Sequence, residues 1–163
     1  MAGQWVDASV AFDRAADLDA APPAATLAAA RTLLGTHRLD DAVYRARRAV
    51  ALAQGQINRA VPLFERALAL DPRYPTAAAQ LGWIASRRGD DERAAPLFEV
   101  AVASDRDPAR LAQYRQALGW SYLRLGRGAL AREQFTQALQ LDPGLHSARD
   151  GLAALGPVRV SAR

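Results

Sequence analysis

Cysteine is absent from the 163 residues, which excludes disulfides, thiolate metal sites, cysteine nucleophiles and a lipid-modified N-terminal cysteine. Lysine is absent as well, because all 21 basic residues are arginine. A chain rich in Ala and Arg and free of Lys points to GC-rich coding and a bacterial source. Aromatic residues make up only 7% of the chain, and acids are 13 Asp against 4 Glu. No apolar run approaches the roughly 18 continuous residues of a membrane helix. Asp7, Asp13, Asp17 and Asp19 interrupt the N-terminal segment before it reaches signal-peptide length. These absences lead us to expect no membrane span and a cytoplasmic location. What is present is a chain that is 50% apolar and 23% charged, with 38 alanines. That composition can bury a core and favours helices that sit close together. The net charge of +4 is mild, and Arg alternates locally with Asp and Glu, as on solvated helix faces.

Internal repetition decides the architecture. The four Phe, at positions 12, 64, 98 and 135, each have Ala four residues before and three residues after. Chance would produce this with a probability on the order of 10⁻⁵. Spacings of four and three place the three side chains on one helical face, a ring flanked by small neighbours that let another helix approach. Upstream of two copies lie Gln80-Leu81-Gly82-Trp83 with Gly89, and Ala117-Leu118-Gly119-Trp120 with Gly126. Downstream, Leu70-Asp71-Pro72 and Leu141-Asp142-Pro143 close the unit, since proline cannot continue a helix. Each unit is thus helix, glycine turn, helix, stop. Phe64 to Phe98 is 34 residues and Phe98 to Phe135 is 37, the additional three falling in Ser104 to Pro108.

A period of 34 with Leu-Gly, Ala, Phe, Ala and Asp-Pro at these offsets resembles the tetratricopeptide repeat family. The resemblance implies an all-α, right-handed solenoid of antiparallel helix pairs. We expect one repeat domain over 1–156, with clear repeats at about 41–74, 75–108 and 112–145 and a degenerate repeat over 1–40. A capping helix over 145–155, striped by Leu145, Ala148, Leu152 and Leu155, and a flexible tail over 157–163 complete it. Gly82 and Gly119 lack a side chain where paired helices cross, and Gly55, Gly89 and Gly126 mark the turns. Pro62 and Pro96 fall early in second helices, where a mild bend is expected.

Two stretches depart from the pattern. Gly3, Trp5, Ala8, Phe12 and Ala15 match the second half of a repeat with no first helix before them. An unpartnered amphipathic helix of this kind favours a homodimer. Between 24 and 57, Tyr44 to Ala53 reads both as a second and as a first helix, with Arg47 and Arg48 where later repeats have Leu-Gly. Nine helices are expected, irregularly stacked between the second and fourth.

Catalytic chemistry has little to work with. His37 and His146 stand alone, without acids or hydroxyls at nucleophile or metal spacing. Asp40-Asp41 and Asp90-Asp91 sit at helix starts, where capping and the helix dipole favour them. We therefore expect no enzyme activity, no cofactor and no metal. Binding has more to offer. The resemblance implies that first helices line a concave groove, with Gln80, Trp83, Arg87, Gln113, Gln116, Trp120 and Arg124 facing it. Trp83/Arg87 and Trp120/Arg124 are equivalent pairs in consecutive repeats, able to hold an extended, acidic peptide by stacking and charge-assisted hydrogen bonds. The alternative is that each Trp packs in the core and each Arg covers its ring. The family's dicarboxylate clamp uses Lys and Asn on these helices, and this chain has no Lys and a single Asn, Asn58. The functional expectation is a non-catalytic adaptor binding a protein or peptide. A homo-oligomerising module or an Arg-rich nucleic-acid binder is the alternative, the latter weakened because no basic run exceeds two residues.

Overall fold

The protein is described here from a computed structural model, which covers residues 57–156 together with Ala28, Arg31 and Leu33. Six helices run in order: α1 Ile57–Leu70, α2 Pro75–Arg87, α3 Asp91–Ser104, α4 Pro108–Arg124, α5 Gly128–Leu141 and α6 His146–Ala154. Ala28, Arg31 and Leu33 are also helical, and Leu33 is buried. Apart from those three residues and Ile57, the degenerate repeat over 1–40 with Phe12, the irregular stretch with Tyr44 and Gly55, His37, Asp40-Asp41 and the tail lie outside the described residues. Among those described, no helix is long and apolar enough to cross a membrane.

The chain divides into two compact units, 1–81 and 82–163. In the first, Ala60, Leu63, Phe64 and Ala67 are buried at spacings of three and four along α1, the stripe a packed amphipathic helix requires. Pro62 stays inside α1 on its exposed side, so the helix continues through it. Asp71 then ends the repeat: its N–H donates to the Ala67 carbonyl, and its carboxylate accepts the Arg73 N–H at 3.0 Å.

The second unit holds the larger described core. Phe98 and Phe135 are fully buried, surrounded by Ala85, Ala94, Ala95, Leu118, Tyr122, Ala131, Ala138 and Ala148. Burying each ring contributes about 1.5–3 kcal/mol, and the alanines around it let the helix axes close in. The glycines permit the same approach: a Cβ on Gly82 would stand 2.8 Å from the Phe98 ring, and one on Gly119 would stand 2.6 Å from the Phe135 ring. Helix α4 packs against α3, α5 and α6, and α5 packs against α6. The Tyr122 hydroxyl donates to Glu99 at 2.6 Å and ties α4 to α3. Burial, with that carboxylate acceptor, pushes its pKa up to about 12.

The turns within pairs are alike. Gly89 and Gly126 have φ of 78° and 73°, the left-handed conformation that a Cβ disfavours. In each, the next N–H reaches back to close a Schellman motif, Asp90 to Ala85 and Arg127 to Tyr122. That same residue is the N-cap of the following helix. The junction between α3 and α4 carries the three additional residues around a buried carboxylate. Asp105, 3% exposed, accepts N–H bonds from Arg106 and Asp107 and both arms of Arg110, at 2.8–2.9 Å. The Arg110 hydrogen bonds hold its pKa below the usual carboxylate value. Asp107 caps α4 and Pro108 opens it. At the end, α6 packs on α4 and α5, and Arg132 donates to the Gly156 carbonyl at 2.5 Å to close its C-terminus.

Candidate functional site

Gln80 belongs to the first unit, where it is half-buried on α2. The other six sequence-selected residues, Trp83, Arg87, Gln113, Gln116, Trp120 and Arg124, belong to the second. Trp83 and Trp120 are half-buried, and each ring stands edge-on against the phenylalanine of its own repeat. Trp83 meets Phe98 at 5.9 Å and 67°, and Trp120 meets Phe135 at 5.5 Å and 72°. These are favourable edge-to-face contacts. Each indole has one further partner. Trp83 lies against Tyr114 of α4 at 5.7 Å, while the Trp120 Nε1–H donates to Ser147 Oγ of α6 at 2.9 Å. The two tryptophans are therefore fixed in orientation by the next first-type helix, once by a ring and once by a hydroxyl.

Arg124 does not lie on its tryptophan. Its Nε and Nη2 donate to the two oxygens of Asp91 at 2.5 and 2.6 Å, and Nη2 also donates to Ser86 Oγ at 2.6 Å. Asp91 is only 7% exposed, so this bidentate pair sits at the edge of the core and joins α4 to α2 and α3. The Arg124 hydrogen bonds hold the Asp91 carboxyl below its ordinary pKa, and the carboxylate raises that of Arg124. Arg87, at the end of α2, is exposed, as is Gln113 on α4. Gln116 is half-buried, and its Oε1 is buried without a hydrogen-bond partner.

The tandem aspartates divide their work. Asp90 caps α3 by accepting the Arg93 N–H at 3.1 Å, as its place at a helix start implies. Asp91, one residue on, turns inward to Arg124. Asp91, Ser86, Tyr114 and Ser147 were not singled out from the sequence as partners of the site. The available signal was the 33-residue separation of Asp91 and Arg124, close to one repeat period. His146 is exposed at the start of α6, with its Nδ1 3.3 Å from Arg149. Among the described residues no group of three or more His, Asp or Glu could hold a metal ion. What the arrangement offers is two half-exposed indoles at equivalent places in consecutive repeats, each held by packing against a buried phenylalanine.

Models of the tetratricopeptide repeat match the chain over residues 51–119 and 112–145, together more than half of it. No curated protein matches it in sequence. Among solved structures, the fold is similar to MamA, residues 41 to the end, from Desulfovibrio magneticus RS-1. That match has a TM-score of 0.72 and 23% identity, covering 93% of this chain and 82% of that one. It is similar to the Sgt2 TPR domain from Aspergillus fumigatus, with a TM-score of 0.60 and 20% identity, covering 72% and 76%. A third is the first TPR of Spaghetti (RPAP3) bound to the HSP90 peptide SRMEEVD, with a TM-score of 0.56 and 20% identity, covering 63% and 79%. With the helices above, these establish an all-α helical repeat solenoid.

Proposed function

We propose that this chain, which belongs to the tetratricopeptide repeat family, is a non-catalytic adaptor that holds an extended segment of a partner protein. The observation that carries the reading is the equivalence of Trp83 and Trp120. Each is half-exposed and braced edge-on by a buried phenylalanine. Such a pair costs little further ordering when a ligand stacks on it, because two-dihedral aromatic side chains already held by packing lose little entropy on binding. Gln113 and Gln116 supply amide donors and acceptors from α4, and Arg87 is a further polar group at the end of α2. For an acidic ligand the candidate cations are Arg87 and Arg124. Arg124 would engage it only by sharing a fork that Asp91 already occupies. One structure of similar fold is solved with an acidic peptide bound, which supports the general class of ligand.

The test is selection of binders from a random peptide library on the wild-type protein, followed by affinity measurement on variants. Trp120→Leu preserves apolar bulk, and Gln113→Ala is an exposed change. Selected peptides are expected to lose about tenfold in affinity on Trp120→Leu, a stacking contribution of roughly 1–1.5 kcal/mol, while circular dichroism shows the variant still folded at the temperature of the binding measurement. Peptides that bind both variants as tightly as wild type would remove the platform from the binding surface.

A further inference from the structure

A second surface lies about 140° around α4 from Trp120, at 100° per residue. Leu130, Gln134, Gln137 and Leu141 are spaced four, three and four along α5, so they form one stripe. The core side of that helix is taken by Ala131, Phe135 and Ala138, all fully buried. The stripe is apolar at its ends and polar at its middle. Leu130 is 42% exposed and Leu141 38% exposed, and eleven residues of helix set them about 16 Å apart. Between them sits the half-buried Arg115 of α4, whose Nη1 donates to Gln134 Oε1 at 3.0 Å and to Gln137 Oε1.

Those partners are neutral. Arg110 and Arg124 each hold a carboxylate, whereas Arg115 reaches the Glu133 carboxylate only through Gln137, whose Nε2 donates to Glu133 at 3.1 Å. Burial pushes the Arg115 pKa down, with Glu133 opposing it. A guanidinium partly removed from water and bonded only to amide oxygens is electrostatically incomplete. The preceding repeat, 37 residues earlier, has the opposite pattern. The counterparts of Arg115, Gln134 and Gln137 are Ala78, Leu97 and Val100, and those of Leu130 and Leu141 are Arg93 and Ser104. Five positions have changed character together, which the repeat fold itself does not demand.

We propose that this stripe, with Arg115 at its centre, docks an amphipathic helix of a partner protein that carries a carboxylate between two leucine-type side chains. The apolar ends cover Leu130 and Leu141, and the carboxylate completes Arg115 in the gap between them. Helix-in-groove recognition with anchors about three turns apart fits the 16 Å span. This surface is independent of the tryptophan platform, so a partner could occupy either one alone.

The test uses a capped, sixteen-residue, alanine-based helical peptide with Leu at its third and fourteenth positions and Glu at its seventh and tenth. A counterpart has Gln in place of Glu. Each is titrated into nitrogen-15-labelled protein. The Glu peptide is expected to shift the amides of 130–141 and the Arg115 Nε signal, with a Kd on the order of 1 mM or tighter. The Gln peptide should bind about fivefold more weakly, and Arg115→Gln should abolish that difference. Leu141→Asp, at an exposed position, should weaken both peptides while leaving the fold and the Trp120 indole signal unchanged. Equal binding of the two peptides, shifts centred on the tryptophan indoles, or no shift at millimolar peptide would each overturn the proposal. So would concentration-dependent broadening of the 130–141 amides without peptide, which would make a second copy of the chain the occupant.

Discussion

Gly119→Ala tests the packing on which the core of the second unit depends. The added Cβ would lie 2.6, 2.7 and 3.0 Å from three carbons of the Phe135 ring, against an ordinary carbon contact of about 3.5–4.0 Å. Relief requires a movement of roughly 1 Å, and the ring cannot supply it by retreating. On its far side a Cβ on Gly151 would be only 2.3 Å away, so Phe135 is wedged between the backbones of α4 and α6. The helices must separate instead, at about 3 kcal/mol, the upper end of overpacking costs. Alanine's better helix propensity returns about 1 kcal/mol, leaving a net loss of about 2 kcal/mol. Urea unfolding followed by circular dichroism at two temperatures measures it. The same change in Phe135→Leu, which vacates the ring edge, should cost at least about 1 kcal/mol less than in wild type. A Gly119→Ala protein as stable as wild type, or strictly additive effects in the double mutant, would refute the account of why that glycine is there.

Phe98→Ala should destabilise by about 3–5 kcal/mol through a cavity at the centre of the second unit, and it should also free Trp83, seen as a change in tryptophan fluorescence. Arg124→Gln should cost about 1–3 kcal/mol at pH 7, a value discounted because the guanidinium is partly in water. Asp91 has a folded pKa below its unfolded value, so the pair contributes fully above the unfolded pKa near 3.9 and is lost as pH falls through the folded one. The mutational loss should therefore shrink when the urea series is repeated near pH 3. A loss of equal size at both pH values would refute the ionic origin. Trp120→Leu and Arg115→Gln test the two binding surfaces as described above.

The buried residues were legible where one residue type carried the whole signal. Phe64, Phe98 and Phe135 with their flanking alanines are buried as the spacing implied, because only a small residue tolerates a ring packed at that distance. Gly89 and Gly126 were equally plain, since a left-handed turn selects glycine strongly. The partners of the candidate site were not legible. The Trp120 bond to Ser147 and the Arg124 pair with Asp91 span 27 and 33 residues. They depend on how one helix pair stacks on the next, which no local spacing encodes. Asp91 was further hidden by its neighbour, because two aspartates at a helix start read alike until one is seen to cap and the other to face inward. Arg115 was passed over for a related reason: its significance lies in what its partners lack.

The turns within pairs and the junctions between repeats differ in how much length they can absorb. At Gly89-Asp90 and Gly126-Arg127 the residue that closes one helix also opens the next, so there is no slack, and one inserted residue would have to break either the closing bond or the cap. At the junction between α3 and α4 three additional residues are already accommodated by the single carboxylate of Asp105. Insertions, tags or cleavable linkers placed at the repeat junctions should thus be tolerated, while the glycine turns act as fixed rulers that keep paired helices in step.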